Sequence, residues 1–341
     1  MSNGLQVIRA QSLRTRNTFG IDATTPLALR VNDPAQLPEA LAMAPDALVL
    51  GGGSNLLLVS TPDAVLELAN DDIGVIAEDG DHVVVRCGAG AVWHDFVMAT
   101  LRRGWSGLEN LSLIPGTVGA SPIQNIGAYG VEVMERIIAV DAWDRHEARW
   151  TRFTATDCAF TYRDSRFKHE PDRYVVTSVE FRLDRIPRLR LDYAGIRDEL
   201  AVMAIDTPAA NDVAEAVVRI RRRKLPDPAV IGNAGSFFKN PIVATGLAEA
   251  LRGAHPDLPV FPAGSPDCCK LSAAWLIDRC GWKGHRDGDA GVSAGHALVL
   301  VNHGHATGAQ LLDLARRIAA SVQECFGVAI EPEPRIIGAR W

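Results

Sequence analysis

The sequence predicts an α+β fold of more than one domain, and three observations carry that expectation. The chain has 341 residues, which is long for one hydrophobic core and suits two or three domains. Its patterned segments include both alternating strands and amphipathic helices. They follow one another without the β-α-β rhythm of a doubly wound parallel sheet.

The elements come in this order. Asn32-Asp33-Pro34 is a start signal for a short helix over residues 34–43, with Leu37, Ala40 and Leu41 on one face. Residues 47–50 are a compact apolar run, read as a strand that ends on Gly51-Gly52-Gly53-Ser54-Asn55. Between residues 63 and 185 short strands dominate, clearest at 83–87 and 175–183, with one helix near 92–102. Pro187 marks the next change. Residues 212–224 place Val213, Ala216, Val217 and Ile220 at helical spacing and are stopped by Pro226 and Pro228. Residues 273–280 read as a helix closed by Gly281, and 297–302 as a strand. Residues 310–326 form the strongest helix, with Leu311, Leu314, Ala315, Ile318, Val322 and Cys325 on one stripe and Gly327 at its end.

Composition narrows the function. With 47% hydrophobic and 22% charged residues the chain can bury a full core and is not a disordered tail. A net charge of −6 argues against general nucleic-acid binding, which leaves a basic footprint. It leaves room for a small anionic ligand held by local cations. Cys87, Cys158, Cys268, Cys269, Cys280 and Cys325 contain no C-x-x-C pair, so free thiols in a reducing cytoplasm are expected and no metal site. His303-Gly304-His305 lacks a third ligand at useful spacing and is read as a polar loop. The first residues, with Arg9, Arg14 and Arg16, hold no apolar core of signal length. No stretch reaches the ~20 apolar residues of a membrane span. A cytoplasmic protein, without membrane insertion and monomeric, is expected.

Two glycine-rich segments stand out. The first is Gly51-Gly52-Gly53-Ser54-Asn55; the second runs from Ile114-Pro115-Gly116-Thr117-Val118-Gly119-Ala120-Ser121-Pro122 into Ile123-Gln124-Asn125-Ile126-Gly127-Ala128-Tyr129-Gly130. Glycines let backbone N–H groups approach a phosphate closely, and Ser and Asn add donors. Neither segment carries the G-x-G-x-x-G or G-x-x-x-x-G-K-[ST] fingerprint. Taken alone, the first is equally well a tight turn. Together the two favour a nucleotide whose pyrophosphate is faced from two sides.

These segments resemble the UDP-N-acetylenolpyruvoylglucosamine reductase (MurB) family. The match continues through Tyr162-Arg163-Asp164-Ser165, Lys224-Leu225-Pro226-Asp227-Pro228, residues 232–241 (G-N-A-G-S-F-F-K-N-P) and Glu331-Pro332-Glu333, all in the family's order. The resemblance implies a two-lobed FAD-binding module of the PCMH/vanillyl-alcohol-oxidase type, without a Rossmann fingerprint, plus a C-terminal α+β substrate domain. Residues 1–62, joined by 334–341, would form one lobe, 63–222 the second, and 223–333 the substrate domain. It further implies non-covalent FAD, NADPH as co-substrate and UDP-N-acetylglucosamine enolpyruvate as substrate, reduced to UDP-N-acetylmuramate for peptidoglycan synthesis.

Site residues follow from the resemblance, position by position. Gly51, Gly52, Gly53, Ser54, Asn55, Ile114, Pro115, Gly116, Gly119, Ser121, Pro122, Gln124, Asn125, Ile126 and Gly127 match the FAD loops. Ser236 matches the acid that protonates the α-carbon once hydride has reached the vinyl carbon. Arg163 matches the cation facing the substrate carboxylate, and Glu333 a carboxyl group that holds the intermediate, protonated through burial. Tyr129, Tyr193, Lys224, Asn240, Lys283 and His296 match substrate contacts; Tyr193 belongs to the longer subtype, whose tyrosine loop closes over the substrate and excludes water. Each residue alone has a plainer account. Ser236 would be a turn residue, Arg163 beside Asp164 a surface ion pair, and Arg221-Arg222-Arg223 a solvated face favoured by the helix dipole.

Pro334 departs from the aliphatic residue expected there and restricts the backbone of Glu333, with Glu331 as the fallback. Another FAD-dependent oxidase or dehydrogenase of the same superfamily is the alternative. The absence of His and Cys from both glycine loops speaks against a covalently tethered flavin.

Overall fold

The alternation at residues 83–87 and 175–183 is realised in one antiparallel sheet. Its strands, in spatial order, are Arg149–Thr154, Ile137–Asp144, Tyr174–Asp184, His82–Gly88 and Ile73–Glu78. Val85 pairs with Phe181 and Cys87 with Val179, so the apolar set of each strand falls on one face. The helix Trp93–Arg102 covers that face. Trp93, Phe96 and Phe181 meet there, the Phe96 and Phe181 rings 4.9 Å apart, and the buried Trp93 Nε1–H donates to the Leu111 carbonyl at 2.9 Å. Truncating Phe181 to Ala would cost about 3–5 kcal/mol through lost burial and the cavity left behind. Burial in this core pushes the Cys87 and Cys158 thiols up to about 12.

A smaller sheet precedes it, in the order Leu5–Ser12, Thr24–Val31, Ala64–Leu68, Leu48–Val49. Its last three strands run parallel. The expected helix begins as a tight turn at Pro34–Gln36, capped by the Asp33 carboxylate, and continues as Leu37–Met43. Leu37, Ala40 and Leu41 pack on Leu29, Val31 and Leu66. The helix Ala210–Lys224 buries Val213, Ala216, Val217 and Ile220 against Ile196 and Leu200.

The C-terminal part holds a four-stranded antiparallel sheet, Gly232–Asn233, Leu300–Asn302, Ala290–Val292 and Arg286–Asp287 in spatial order. The helix Gly308–Phe326 lies with it, its start fixed by a capping box between Thr307 and Gln310. A three-stranded sheet orders Ile242–Ala244, Cys268–Leu271 and Val260–Pro262. The strand expected at 297–302 is shorter than its apolar run. Residues 297–299 are bent into a turn in which Val299 N–H donates to the His296 carbonyl at 3.0 Å. The His303-Gly304-His305 segment is a loop, with His303 N–H on the Asp289 carbonyl at 2.7 Å and Gly304 N–H on Asn302 Oδ1 at 2.9 Å.

The computed structural model describes residues 4–341. The chain divides into two units. One holds the chain up to Gln11, Thr25–Gly52 and Pro62–Arg223; the other holds Ser12–Thr24, Gly53–Thr61 and Lys224–Trp341. The second unit includes Gly53–Thr61, where the strand Leu56–Leu58 pairs in parallel with Arg335–Ile337. Among the described residues no helix is long and apolar enough to cross a membrane. All six cysteines are free thiols.

Candidate active site

In the first unit Gly51 and Gly52, which open the first glycine segment, pack closely on Thr117 and Gly116 of the second. A Cβ placed on Gly52 would lie 2.7 Å from Gly116 Cα, and one on Gly51 would lie 2.8 Å from Thr117 Oγ1. Only glycine permits that approach. Trp93 N–H donates to the Gly116 carbonyl at 3.0 Å and fixes the second loop against the helix below. Before the loop, His94 Nδ1 accepts the Leu113 N–H at 3.0 Å, and burial draws the His94 pKa down, which suits an acceptor nitrogen. Close-set glycines with no room for a Cβ make a cradle of the kind that admits a pyrophosphate, so these loops fit FAD.

The polar side chains of the second loop are mostly committed within the protein. Ser121 Oγ donates to the Val118 carbonyl at 2.7 Å. Buried Asn125 donates to Glu132 Oε2 at 2.8 Å and to the Thr161 carbonyl at 2.9 Å, and accepts from Met134 N–H at 3.0 Å. Its amide builds the loop, as do the backbone N–H groups of Val118, Gly119, Ser121 and Ile126, which donate to the carbonyls of Ala91, Ala89, Val118 and Ser121.

Asn125 also ties this loop to the turn that carries Arg163. Thr161 and Asp164 exchange backbone hydrogen bonds across that turn, and Ser165 Oγ donates to the Ile123 carbonyl at 2.6 Å. Arg163 sits at φ +54°, a region costly for a residue with a side chain. Its Nη2 donates to the Gly127 carbonyl at 2.6 Å, and Lys168 Nζ donates to the Arg163 carbonyl at 2.9 Å. Tyr129 stands at φ +51°, its ring edge-on to that of Tyr193 at 5.2 Å. Arg163, Gly127, Tyr129 and Tyr193 are therefore brought together.

Sequence reasoning missed one member of this group. Arg222 and Arg223 are exposed, and Arg223 pairs with Glu199, as a solvated face would. Arg221 is half-buried, with Tyr129 and Arg163 as its electrostatic neighbours and no hydrogen-bond or ion-pair partner among the described residues. Burial draws its pKa down, and the nearby Arg163 adds to the effect. The signal was available: Arg221 follows Ile220, at the edge of the apolar stripe, whereas Arg222 and Arg223 do not.

In the second unit Ser236 lies on a turn that Asn233 builds. Asn233 Nδ2 donates to the carbonyls of Pro226 and Ile231 at 3.0 and 2.9 Å, and its Oδ1 accepts the Gly235 N–H at 3.0 Å. Gly235 then takes φ +67°, which a side chain would resist. Phe237 N–H donates to the Leu298 carbonyl at 2.7 Å. Half-buried Ser236 has no hydrogen-bond partner among the described residues. The chain end pairs along this segment: Glu333 N–H donates to the Phe237 carbonyl at 2.7 Å and Lys239 N–H to the Glu331 carbonyl at 3.0 Å.

Asn55 holds the same chain end, its carbonyl accepting the Arg335 N–H at 3.0 Å and its Nδ2 donating to the Glu333 carbonyl at 3.4 Å. Gly53 sits against the Arg16 carbonyl, where a Cβ would clash. Glu333 is half-buried, while the Glu331 side chain is 70% exposed and pairs with Lys239 at 3.5 Å. Pro334 is buried and leads directly into the strand Arg335–Ile337.

The other residues of this unit that the sequence singles out include a cationic group. His296 is lowered in pKa by burial first, then by Lys224 and Lys283, which places the three near one another. His296 Nδ1 accepts the Leu298 N–H at 3.2 Å, as a neutral ring can. Lys283 lies 3.9 Å from Asp278. Asn240 Oδ1 caps the Ala273 N–H at 3.0 Å, leaving its amide NH2 for another partner. Among the described residues no three His, Cys, Asp or Glu side chains group to hold a metal.

Comparison with known proteins bears on both parts. Residues 26–151 match the profile "FAD binding domain", and residues 227–337 match "UDP-N-acetylenolpyruvoylglucosamine reductase, C-terminal domain". The chain is 56% identical over 347 residues to the UDP-N-acetylenolpyruvoylglucosamine reductase of Xanthomonas axonopodis pv. citri (strain 306), covering 100% of this chain and 99% of that one. The reductase of Xylella fastidiosa (strain 9a5c) is 56% identical over 96% of this chain and 95% of its own. Among solved structures, the enzyme from Thermus caldophilus superposes with a TM-score of 0.66 at 27% identity, covering 97% and 98% of the two chains. The 6-hydroxy-D-nicotine oxidase of Arthrobacter nicotinovorans, at 15% identity and a TM-score of 0.53 over 95% and 86%, shares the fold alone. The fold is thus the FAD-binding module of the oxidase type with a C-terminal domain added, and by its identity to curated relatives along nearly their whole length the chain belongs to the UDP-N-acetylenolpyruvoylglucosamine reductase family.

Proposed function

We propose that the chain reduces the enolpyruvyl ether of UDP-N-acetylglucosamine to the D-lactyl ether, using NADPH, and so makes UDP-N-acetylmuramate for peptidoglycan. The pairing of the Ser236 and Glu333 segments carries this reading. It sets a hydroxyl without a hydrogen-bond partner among the described residues close in register to a half-buried glutamate. Gly51, Gly52 and the backbone of residues 114–127 would hold FAD, with Gly53, Ser54 and Asn55 completing the first loop. Bound FAD supplies the hydride carrier between NADPH and the substrate's vinyl carbon.

The protein's own groups then handle charge and protons. Arg163, already oriented by the Gly127 carbonyl, neutralises the substrate carboxylate as negative charge builds on it. Ser236 gives its proton to the α-carbon, a transfer helped by position and by the basicity of the carbanionic acceptor. Glu333, protonated, donates a hydrogen bond to the carboxylate. Lys224, His296, Lys283 and Asn240 hold the diphosphate and uracil end, and the Tyr193 loop closes beside Tyr129 to exclude water. The lack of His and Cys in both glycine loops supports FAD held without a covalent link. We further propose that the protein works in the cytoplasm as a monomer, with residues 1–62 and 63–222 forming the FAD lobes and 223–333 the substrate domain.

The test is spectroscopic. Purified protein should be yellow, bleach with NADPH, and regain the oxidised spectrum on addition of the UDP-enolpyruvyl sugar under anaerobic conditions. A colourless protein that FAD cannot reconstitute overturns the reading. Reoxidation by oxygen but not by the sugar would favour an oxidase instead.

A further inference from the structure

One buried side chain outside the proposed reaction joins the segments that carry Tyr129 and Tyr193. Asn110 lies in the short turn Glu109–Leu111 and is 2% exposed. Its Nδ2 donates to the Tyr129 carbonyl at 2.9 Å and to the Arg190 carbonyl at 2.9 Å. Both partners are acceptors only, so the chemistry itself requires the NH2 side of the amide to face them. One amide thereby satisfies two backbone carbonyls from loops that are distant in sequence.

What those loops carry gives the bond its meaning. Tyr129 holds a left-handed backbone at φ +51°, which needs outside support in a residue with a bulky side chain. Arg190 belongs to an irregular stretch, residues 185–195, that ends at the helix Ile196–Val202. Tyr193 follows Arg190 by three positions, is 49% exposed, and rests its ring edge-on against Tyr129 at 5.2 Å. The stretch is pinned at Arg190 and open at Tyr193.

We propose that Asn110 is a positioning residue for substrate binding: it fixes the Tyr129 turn and anchors the Tyr193 loop, so that the two rings meet the substrate in one arrangement. This rests on the reading of Tyr193 as a substrate contact. Asn110 touches neither the substrate nor the reacting atoms; it acts through the two backbones it holds.

The experiment is a double-mutant cycle on KM for the UDP-enolpyruvyl sugar, with Asn110→Asp, Tyr193→Ala and the pair. Asn110→Asp keeps the shape but replaces the donor with an oxygen. The expected result is a rise in KM of about tenfold when Tyr193 is present and a distinctly smaller rise, through the Tyr129 turn alone, when it is absent, the non-additivity of coupled sites. An equal factor in both backgrounds, or no change in either, overturns the proposal. If Tyr193→Ala alone leaves KM unaltered, the reading of Tyr193 fails and the proposal falls with it. Should Asn110→Asp not retain flavin, Asn110→Ser, which keeps one donor, goes through the same cycle with the same criteria.

Discussion

The N–H of Glu333 donates to the carbonyl of Phe237 at 2.7 Å, one residue beyond Ser236. Backbone pairing, not side-chain contact, therefore sets the register between hydroxyl and carboxyl. Removing either side chain leaves that register in place, which makes the two residues suitable for clean substitution.

Ser236→Ala should leave flavin reduction by NADPH near the wild-type rate and slow reoxidation by the sugar by roughly 10²–10⁴, the usual range for a positioned acid. Stopped-flow absorbance of the flavin resolves the two half-reactions. Equal losses in both would make Ser236 a structural residue.

The two glutamates separate in the same assay. Glu331 is exposed and pairs with Lys239 at the surface, a kind of contact worth about 0–1 kcal/mol. Glu331→Gln should therefore leave turnover and stability nearly unchanged. Glu333→Gln keeps a donor but alters its strength, and should slow reoxidation by the sugar at least tenfold while sparing the NADPH step. The reverse pattern would move the role to Glu331.

Arg221 tests the reading of the cation group. A half-buried guanidinium without an anionic partner among the described residues, beside Arg163, costs the free protein desolvation and repulsion. Arg221→Met should leave the thermal midpoint unchanged or raise it, while KM for the sugar rises at least tenfold. A lowered midpoint with unchanged KM would make Arg221 a structural residue.

How much of this was legible depends on the type of signal. Segments with a one-sided apolar stripe, such as Trp93–Arg102 and Gly308–Phe326, appear within two residues of their expected bounds. Thr245–Ala254 went unseen although Leu247, Ala248, Leu251 and Ala254 recur at helical spacing; Gly246 and Gly253 lower its helix propensity, and only Ala248 is buried. Ile196–Val202 is too short to show a repeat. For the site, ordered motifs named Ser236, Arg163 and Glu333, but no pattern could show that Asn233 shapes the Ser236 turn or that Asn125 is spent on its own loop. Such roles depend on partners distant in sequence. Arg221 was hidden inside a basic run whose other members are solvated.

Stability should fall on the acid side through two half-buried histidines, His94 and His296. Burial is the main cause that draws both His94 and His296 below the ordinary histidine value of 6.5. The unfolded chain then binds more protons than the folded one below that value. The stability held by the neutral rings is complete above about pH 6.5 and is lost as pH falls from there through the lower folded values. His94→Asn keeps an acceptor for Leu113 N–H but cannot titrate, so its denaturant midpoint should drop less between pH 7.5 and pH 5 than the parent's. An identical drop would assign the acid sensitivity elsewhere.

The glycine cradle gives the sharpest steric prediction. A methyl on Gly52 would meet Gly116 Cα at 2.7 Å, and neither backbone has a flexible end that can yield. Gly52→Ala must push the two loops apart, at about 1–3 kcal/mol for an overpacked contact. The same displacement would spoil the amide cradle, so the purified variant should carry less than half the parent's flavin and need excess FAD to recover its colour. Gly253→Ala is the matched control. It sits in the helix Thr245–Ala254 with open space around the added carbon, and should raise stability by about 0.5–1 kcal/mol with full flavin content. Full flavin in Gly52→Ala would mean that the contact between the loops is not what shapes the site.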